Sequence, residues 1–502
     1  MFLPLPKSLD PRVSLEARER YIKFIVPLWM FFCSTVASSF YGFNVWILPI
    51  TIHHFGSDAT YTMETGQILY AFSLPTLIAA MIMPHLSSQI LAKGKIPVRY
   101  VTLIGVVLYC CGLILGGLAV QYDRLWLLWI GIGLLSGIGS GLLYVPIEIY
   151  SVAWFREIGQ PGMGSGLTGF FCGLWPALFS FYCPALIDQT SVPESFYWNA
   201  LIILLITIPG IILQCSPTEV PLQQNDNAIE ISMKNDGDDD DGGEQDGTTS
   251  VNNKGEEIET AAQTEVDTDV HQEKPLTMTA ILSYPQFYIQ FLGTFLCLFP
   301  GFAIKYNISI LASALFQTTQ RTESIISFIF LFSFATVRLF VGIGVGRWFS
   351  VDIAAQGSAA IQILGLIGAA LVVFLGAKYL WIFVICEAIV GMGLAAYKVT
   401  ISLGALARWS MLNFSSVTTL FYLANGLAGF IGPIFGWMML VLPGDVPLNN
   451  ELAEEKLGSA TTKETTEIIA GVVYFAFGFC ALLGFLVVRY AVAVVFKNDE
   501  NV

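Results

Sequence analysis

Twelve apolar stretches, each long enough to cross a bilayer as a helix, leave this chain few ways to fold. A spanning helix needs about 20 predominantly apolar residues. The runs fall at 22–50, 66–92, 98–119, 123–152, 162–186 and 196–213, then at 285–315, 322–348, 354–376, 379–405, 411–440 and 466–496. Several exceed the minimum, which implies tilt or extension beyond the lipid. Charged residues make up 12% of the chain, against about 25% in a soluble domain. In lipid every backbone polar group must be bonded internally. The expected fold is therefore an all-α membrane protein of 12 transmembrane helices arranged as two six-helix bundles.

The charge that remains is unevenly placed. Residues 216–275 hold 17 acidic residues against three lysines, which accounts for the whole net charge of −14. This composition cannot bury apolar surface, and its acidity argues against a nucleic-acid partner. The expected organisation is a tail at 1–20, a bundle at 21–213, an acidic disordered linker at 214–284, a second bundle at 285–497 and a tail at 498–502. The polar start of the chain gives no sign of a cleavable leader. Lys and Arg near the helix ends (Lys93, Lys95, Arg99, Arg156, Arg347 and Arg408, with Lys7, Arg12, Arg18, Arg20 and Lys23 ahead of and at the start of the first run) place both termini and the linker in the cytoplasm. The nine cysteines are scattered through apolar runs without a CxxC, so they read as buried small hydrophobes and not as a metal site.

Three cations interrupt otherwise apolar runs of the second half: Lys305, Arg338 and Lys398. A charge at the centre of a membrane helix costs at least ~2.5–3.5 kcal/mol on insertion scales. Three like charges in one half suggest a site for something negative.

Glycines mark the fourth and fifth runs. The fourth reads Gly137-Ile138-Gly139-Ser140-Gly141-Leu142-Leu143-Tyr144 and ends in Trp154-Phe155-Arg156; the fifth reads Gly162-Met163-Gly164-Ser165-Gly166-Leu167-Thr168-Gly169, with Gly173 one turn later. Small residues four apart let helices approach closely and slide. With the 6+6 layout, these segments resemble the major facilitator superfamily, and within it the monocarboxylate-porter and oxalate:formate-antiporter branch. The first run carries Phe40-Tyr41-Gly42-Phe43-Asn44, similar to that branch's aromatic-Gly element. Tyr41 and Asn44, three apart, would present hydrogen-bonding groups from one helix face.

The resemblance implies a secondary carrier with its cavity between the bundles. The segment Arg338-Leu339-Phe340-Val341-Gly342 resembles the antiporters' Arg-x-x-x-Gly, whose Arg contacts a carboxylate. A guanidinium grips a carboxylate bidentately and keeps its proton. Those antiporters also use a Lys in the eleventh helix, whereas run 411–440 has no Lys or Arg, which argues against oxalate itself. Lys305 is the expected second cation, beside a helix break at Pro300-Gly301, and Lys398 is a third, placed deeper. The expected binding set is Arg338, Lys305, Lys398, Tyr41, Asn44 and Tyr144. The expected coupling or gating set is Glu387, Glu148 and His85, with Glu387 paired to Lys305 or Arg338 when the site is empty. Gly137, Gly141, Gly166, Gly169 and Gly173 would permit rocking. The loop signature between helices two and three survives only in Gly94 and Lys95, with Ser87 and Leu91 at its first Gly and its Asp. Between helices eight and nine Gly346 replaces the Asp.

No catalytic motif, metal site or cofactor is expected. The expected partners are a small organic anion and the lipid bilayer, with the coupling open between symport with protons and anion exchange, the chain acting as a monomer. A carrier of neutral or zwitterionic solutes, a nutrient sensor on a carrier fold and an ion channel are the other classes considered.

Overall fold

The computed structural model describes residues 9–12, 14–56, 60, 62–86, 97–215, 278–345, 347–442 and 460–490. Linker residues 216–277, most of the two tails, Ser87, Leu91, Gly94, Lys95 and Gly346, and the side chain of His85, lie outside the described residues.

The described chain is helical almost throughout. The first membrane helix, α1, has two arms, Leu15–Gly42 and Asn44–Phe55. Then come α2 (Gln67–Leu86), α3 (Val98–Gln121), α4 (Leu125–Arg156), α5 (Pro161–Gln189) and α6 (Val192–Leu213). The second half holds α7 (Pro285–Phe316), α8 (Gln320–Gly344), α9 (Val351–Phe374), α10 (Leu380–Trp409), α11 (Ser416–Met438) and α12 (Ala460–Tyr490). Eleven of these helices are long and apolar enough to span a membrane, and Gln67–Ile82 is a shorter apolar stretch of α2. The two bundles meet chiefly where α5 lies along α8 and where α2 lies against the α10–α11 pair.

Three local features differ from the expectation. First, the interruption in the fold is in α1 and not in α7. The hydroxyls of Ser34 and Ser38 bond back to the carbonyls of Met30 and Ser34, a habit that bends helices. Ser38 then leaves helical geometry (φ −143°, ψ −7°), and residues Ser39–Gly42 form a tight 3₁₀ turn. A Cβ on Gly42 would lie 2.7 Å from the Pro176 carbonyl oxygen, so only glycine lets α1 cross α5 there. Tyr41 and Asn44 therefore do not share one helix face.

Second, α7 runs unbroken through Pro300 and Gly301. Gly301 serves packing: a Cβ there would be 2.9 Å from both Gln362 Nε2 and Leu394 Cβ, so α9 and α10 close on α7 at this point.

Third, helical backbone is continuous from Leu380 to Val441, yet the Ser402 and Tyr422 hydroxyls are 3.5 Å apart. In a straight helix, 20 residues span about 30 Å. The chain folds back between them, and α10 and α11 form a hairpin whose bend is itself helical.

Candidate functional site

The three buried cations converge on aromatic rings. Lys305, Arg338 and Lys398 are at most 1% exposed. Their cationic centres stand 5.6, 5.6 and 5.9 Å from the Phe334 ring centroid. Lys305 Nζ lies 3.1 Å from the Tyr41 ring centroid. Lys398 Nζ lies 4.7 Å from the same centroid and donates to Tyr41 Oη at 3.0 Å. Phe302 stands 5.4 and 5.3 Å from the two ammonium nitrogens. Neither lysine reaches for the membrane surface, and Lys398 belongs with Lys305 and not in a deeper position. The first bundle contributes the ring at the break in α1; the second contributes all three cations.

Arg338 is seated by an absence. A Cβ on Gly169 would lie 2.4 Å from Arg338 Nε, so α5 gives up a side chain where α8 needs room for a guanidinium. Arg338 Nη1 donates to the Gly169 carbonyl at 3.2 Å and Nη2 to Tyr144 Oη at 3.4 Å, while Nε has no hydrogen-bond partner. Lys305 Nζ has none either.

Among the described residues, Glu148 is a buried acid on which Arg338 and Lys398 both act. It is 2% exposed. Its Oε1 accepts from Ser402 Oγ at 2.6 Å and Ser165 Oγ at 2.9 Å, joining α4 to α10 and α5. Tyr144 and Tyr422 hydroxyls are 2.9 Å apart, and Ser402 approaches Tyr422. A polar chain thus runs from Arg338 through Tyr144, Tyr422 and Ser402 to Glu148.

The cage is closed on both sides. Toward the linker attachment, α5 and α8 touch backbone to backbone: a Cβ on Gly162 would be 2.4 Å from the Gly342 carbonyl and one on Gly166 3.0 Å from Gly342 Cα; one turn past Gly169, away from the linker, a Cβ on Gly173 would be 2.6 Å from Ala335 Cα. Gly137 and Gly141 play the same part within the first bundle, against Ile78 and Ala79 of α2. On the far side Asn44 Nδ2 donates to Ser309 at 3.1 Å and Ser327 at 2.9 Å. Tyr306 and Thr76 hydroxyls are 2.9 Å apart, and Trp437 Nε1 donates to the Thr62 carbonyl at 2.9 Å. Asn44 is therefore part of the seal and not of the cage.

Glu387 stands apart. Its carboxylate accepts from Tyr474 Oη of α12, and no pairing with Lys305 or Arg338 occurs. Three turns above Lys398, the same helix faces α12 instead of α1. Sequence reading overlooked Phe302, Phe334, Ser402 and Tyr422. Phe302 and Phe334 lie three and four residues before Lys305 and Arg338, a helix-face spacing that was available. Tyr422 and Ser402 gave no such signal, because their meeting depends on the α10–α11 fold-back.

Two bundles clamped on both sides of a sealed polar site define a polytopic membrane carrier. The chain belongs to the Major Facilitator Superfamily, whose family profile matches residues 28–433. Among solved structures it is similar to the E. coli fucose:proton symporter FucP, with 15% identity, 94% of this chain and 98% of that chain covered, and a TM-score of 0.52. A second structure, described as the Major Facilitator Superfamily transporter FucP in the outward conformation, gives 14% identity, 93% and 98% coverage, and a TM-score of 0.52. At these identities the likeness is one of fold. No curated protein matches the sequence.

Proposed function

We propose that the protein carries a small organic anion, a mono- or dicarboxylate, across a membrane by alternating access. The observation that carries this reading is the cage: three basic side chains within 6 Å of one ring, with Glu148 the one buried acid among the described residues that acts on both Arg338 and Lys398. Cation–π contacts return about 0.5–2 kcal/mol each. Leaving a charge buried and unpaired costs roughly 3–5 kcal/mol. Arg338, over a single ring, is therefore not compensated by that contact, and a carboxylate would compensate it. Arg338 Nε and Lys305 Nζ are the donors still open to it.

In this reading Arg338 clamps the carboxylate, Lys305 and Lys398 hold it from the far side of Tyr41, and Tyr144 orients the guanidinium. Glycine contacts between α5 and α8 let the bundles separate toward the linker side, and the Asn44 seal opens toward the other. The chain works as a monomer, with both termini and the linker in the cytoplasm.

The test is ligand-dependent thermal stability of the purified protein. A carboxylate should raise Tm in the wild type, and Arg338→Gln should weaken apparent affinity by about 100-fold, the scale of a charge-assisted bidentate contact. An equal shift in both proteins would remove Arg338 from the site.

A further inference from the structure

On the membrane face away from the linker, α7 and α8 are joined through residues 317–319, with Gln317 in the left-handed region (φ 53°). Just inside this turn the Glu323 carboxyl is buried at 8% exposure and bonded by the Ser313 side chain of α7. One turn deeper on both helices, Ser309 and Ser327 hydroxyls are 2.6 Å apart, and Asn44 donates to both. One turn deeper again on α7 stands Lys305. Residues 305, 309 and 313 recur every four positions, as do 323 and 327, so each set lines one helix face. A column of hydroxyls thus leads from a buried acid to the cage.

The groups facing each end of the column are few. Glu323 meets Ser313 and Thr318, and among the described residues no charged group acts on it; Arg321, two residues away, is exposed. Lys305 meets Lys398 and Arg338 and the rings of Tyr41, Phe302, Tyr306 and Phe334. It differs from the other two cations in having no hydrogen bond.

A carboxyl can store a proton, and a hydroxyl, which donates one hydrogen bond while accepting others, can pass one on. We propose that Glu323 loads the proton coupled to transport and that Ser327 and Ser309 deliver it to Lys305, whose ammonium form then completes the anion cage. Glu323 gives up its proton, each hydroxyl accepts one and releases one, and the Lys305 amine gains one. Glu323 is reloaded from water on its own face. Lys305 returns the proton to water on the other face as the anion leaves. The steps between successive turns are about 6 Å, each the span of a single bridging water. This inference rests on the carboxylate reading of the cage and assigns that reading a coupling ion and its entry path.

The experiment uses the full chain in proteoliposomes with a labelled carboxylate. It compares uptake driven by a pH gradient with counterflow at equal pH on both sides. Glu323→Gln should lower pH-driven uptake about tenfold and leave counterflow within about twofold, because the anion contacts are untouched. The double variant Ser309→Ala, Ser327→Ala keeps Glu323 but also removes the acceptors of the Asn44 seal, so it is read as the ratio of pH-driven uptake to its own counterflow, which should fall about tenfold. Wild-type pH response in the double variant overturns the route whatever Glu323→Gln does, and a parallel fall of both readouts in Glu323→Gln overturns the coupling role. Wild-type uptake that ignores the pH gradient, with carboxylate counterflow intact, overturns the proton path alone. No carboxylate counterflow in the wild type fails the cage reading itself.

Discussion

Lys305 and Lys398 meet on a single ring: their ammonium nitrogens lie 3.1 and 4.7 Å from the Tyr41 centroid, and that ring comes from the opposite bundle. The contact joins the two halves of the carrier through its charged centre. Removing the ring should therefore hurt more than removing the hydroxyl. Tyr41→Ala should weaken carboxylate affinity by about 10–100-fold, since it strips aromatic contacts from both ammonium groups. Tyr41→Phe, which keeps the ring, should cost less than about tenfold. Competition binding with a labelled carboxylate separates the two.

The α5–α8 contact separates binding from movement. Gly169→Ala drives a methyl into Arg338 Nε and should lower affinity by about tenfold, as misplacing a bidentate donor does. Gly162→Ala meets the Gly342 carbonyl instead, away from the cations. It should slow exchange about tenfold while leaving affinity unchanged, because only the closed packing of the bundles is strained. Counterflow rate and equilibrium binding, measured on the same preparations, check both.

Glu148 holds Ser165 and Ser402 together and offsets part of the cage's charge. Glu148→Gln keeps an acceptor for the hydroxyls but removes the charge. Carboxylate affinity should rise by about 3–10-fold, since an internal competitor for the cations is gone. Turnover should fall, as the anion leaves a more positive site. A Glu148→Gln variant that binds more weakly would show that the carboxylate organises the cage and does not compete in it.

At the linker face, Arg18 holds Glu157 through two bonds of 2.6 and 2.8 Å and lies 4.9 Å over the Trp154 ring. It ties the start of α1 to the end of α4, remote from the cations. Arg18→Ala should lower Tm by about 2–4 °C, the size of a loss near 1 kcal/mol in a bundle of this length, with affinity unchanged. Scanning calorimetry beside the binding assay checks it.

The helix inventory was legible because lipid leaves the backbone a single choice, and the apolar runs record it directly. The three cations were legible for the same reason, since charge inside such a run stands out. Their arrangement was not. Counted along a straight helix, Lys398 lies deep, whereas Tyr41 reaches it from a first helix broken at Ser39–Gly42. Glu387 shares a helix face with Lys398, which on sequence alone makes it a partner for the cations, but tertiary packing gives that face a different neighbour three turns away. Pro300-Gly301 resembled a break because the pair is destabilising in an isolated helix; here α9 and α10 pack into the space the glycine leaves. Ser309, Ser327 and Glu323 carried no signal individually. Their column exists only because α7 and α8 run side by side.

The most direct measurement is counterflow in proteoliposomes loaded with a panel of unlabelled solutes: monocarboxylates, dicarboxylates, a zwitterionic amino acid and a neutral sugar such as fucose. Exchange of a labelled carboxylate that Arg338→Gln abolishes, with no exchange of the sugar, is the expected result. Sugar exchange that persists in Arg338→Gln, with no carboxylate moved by the wild type, would contradict an anion cage.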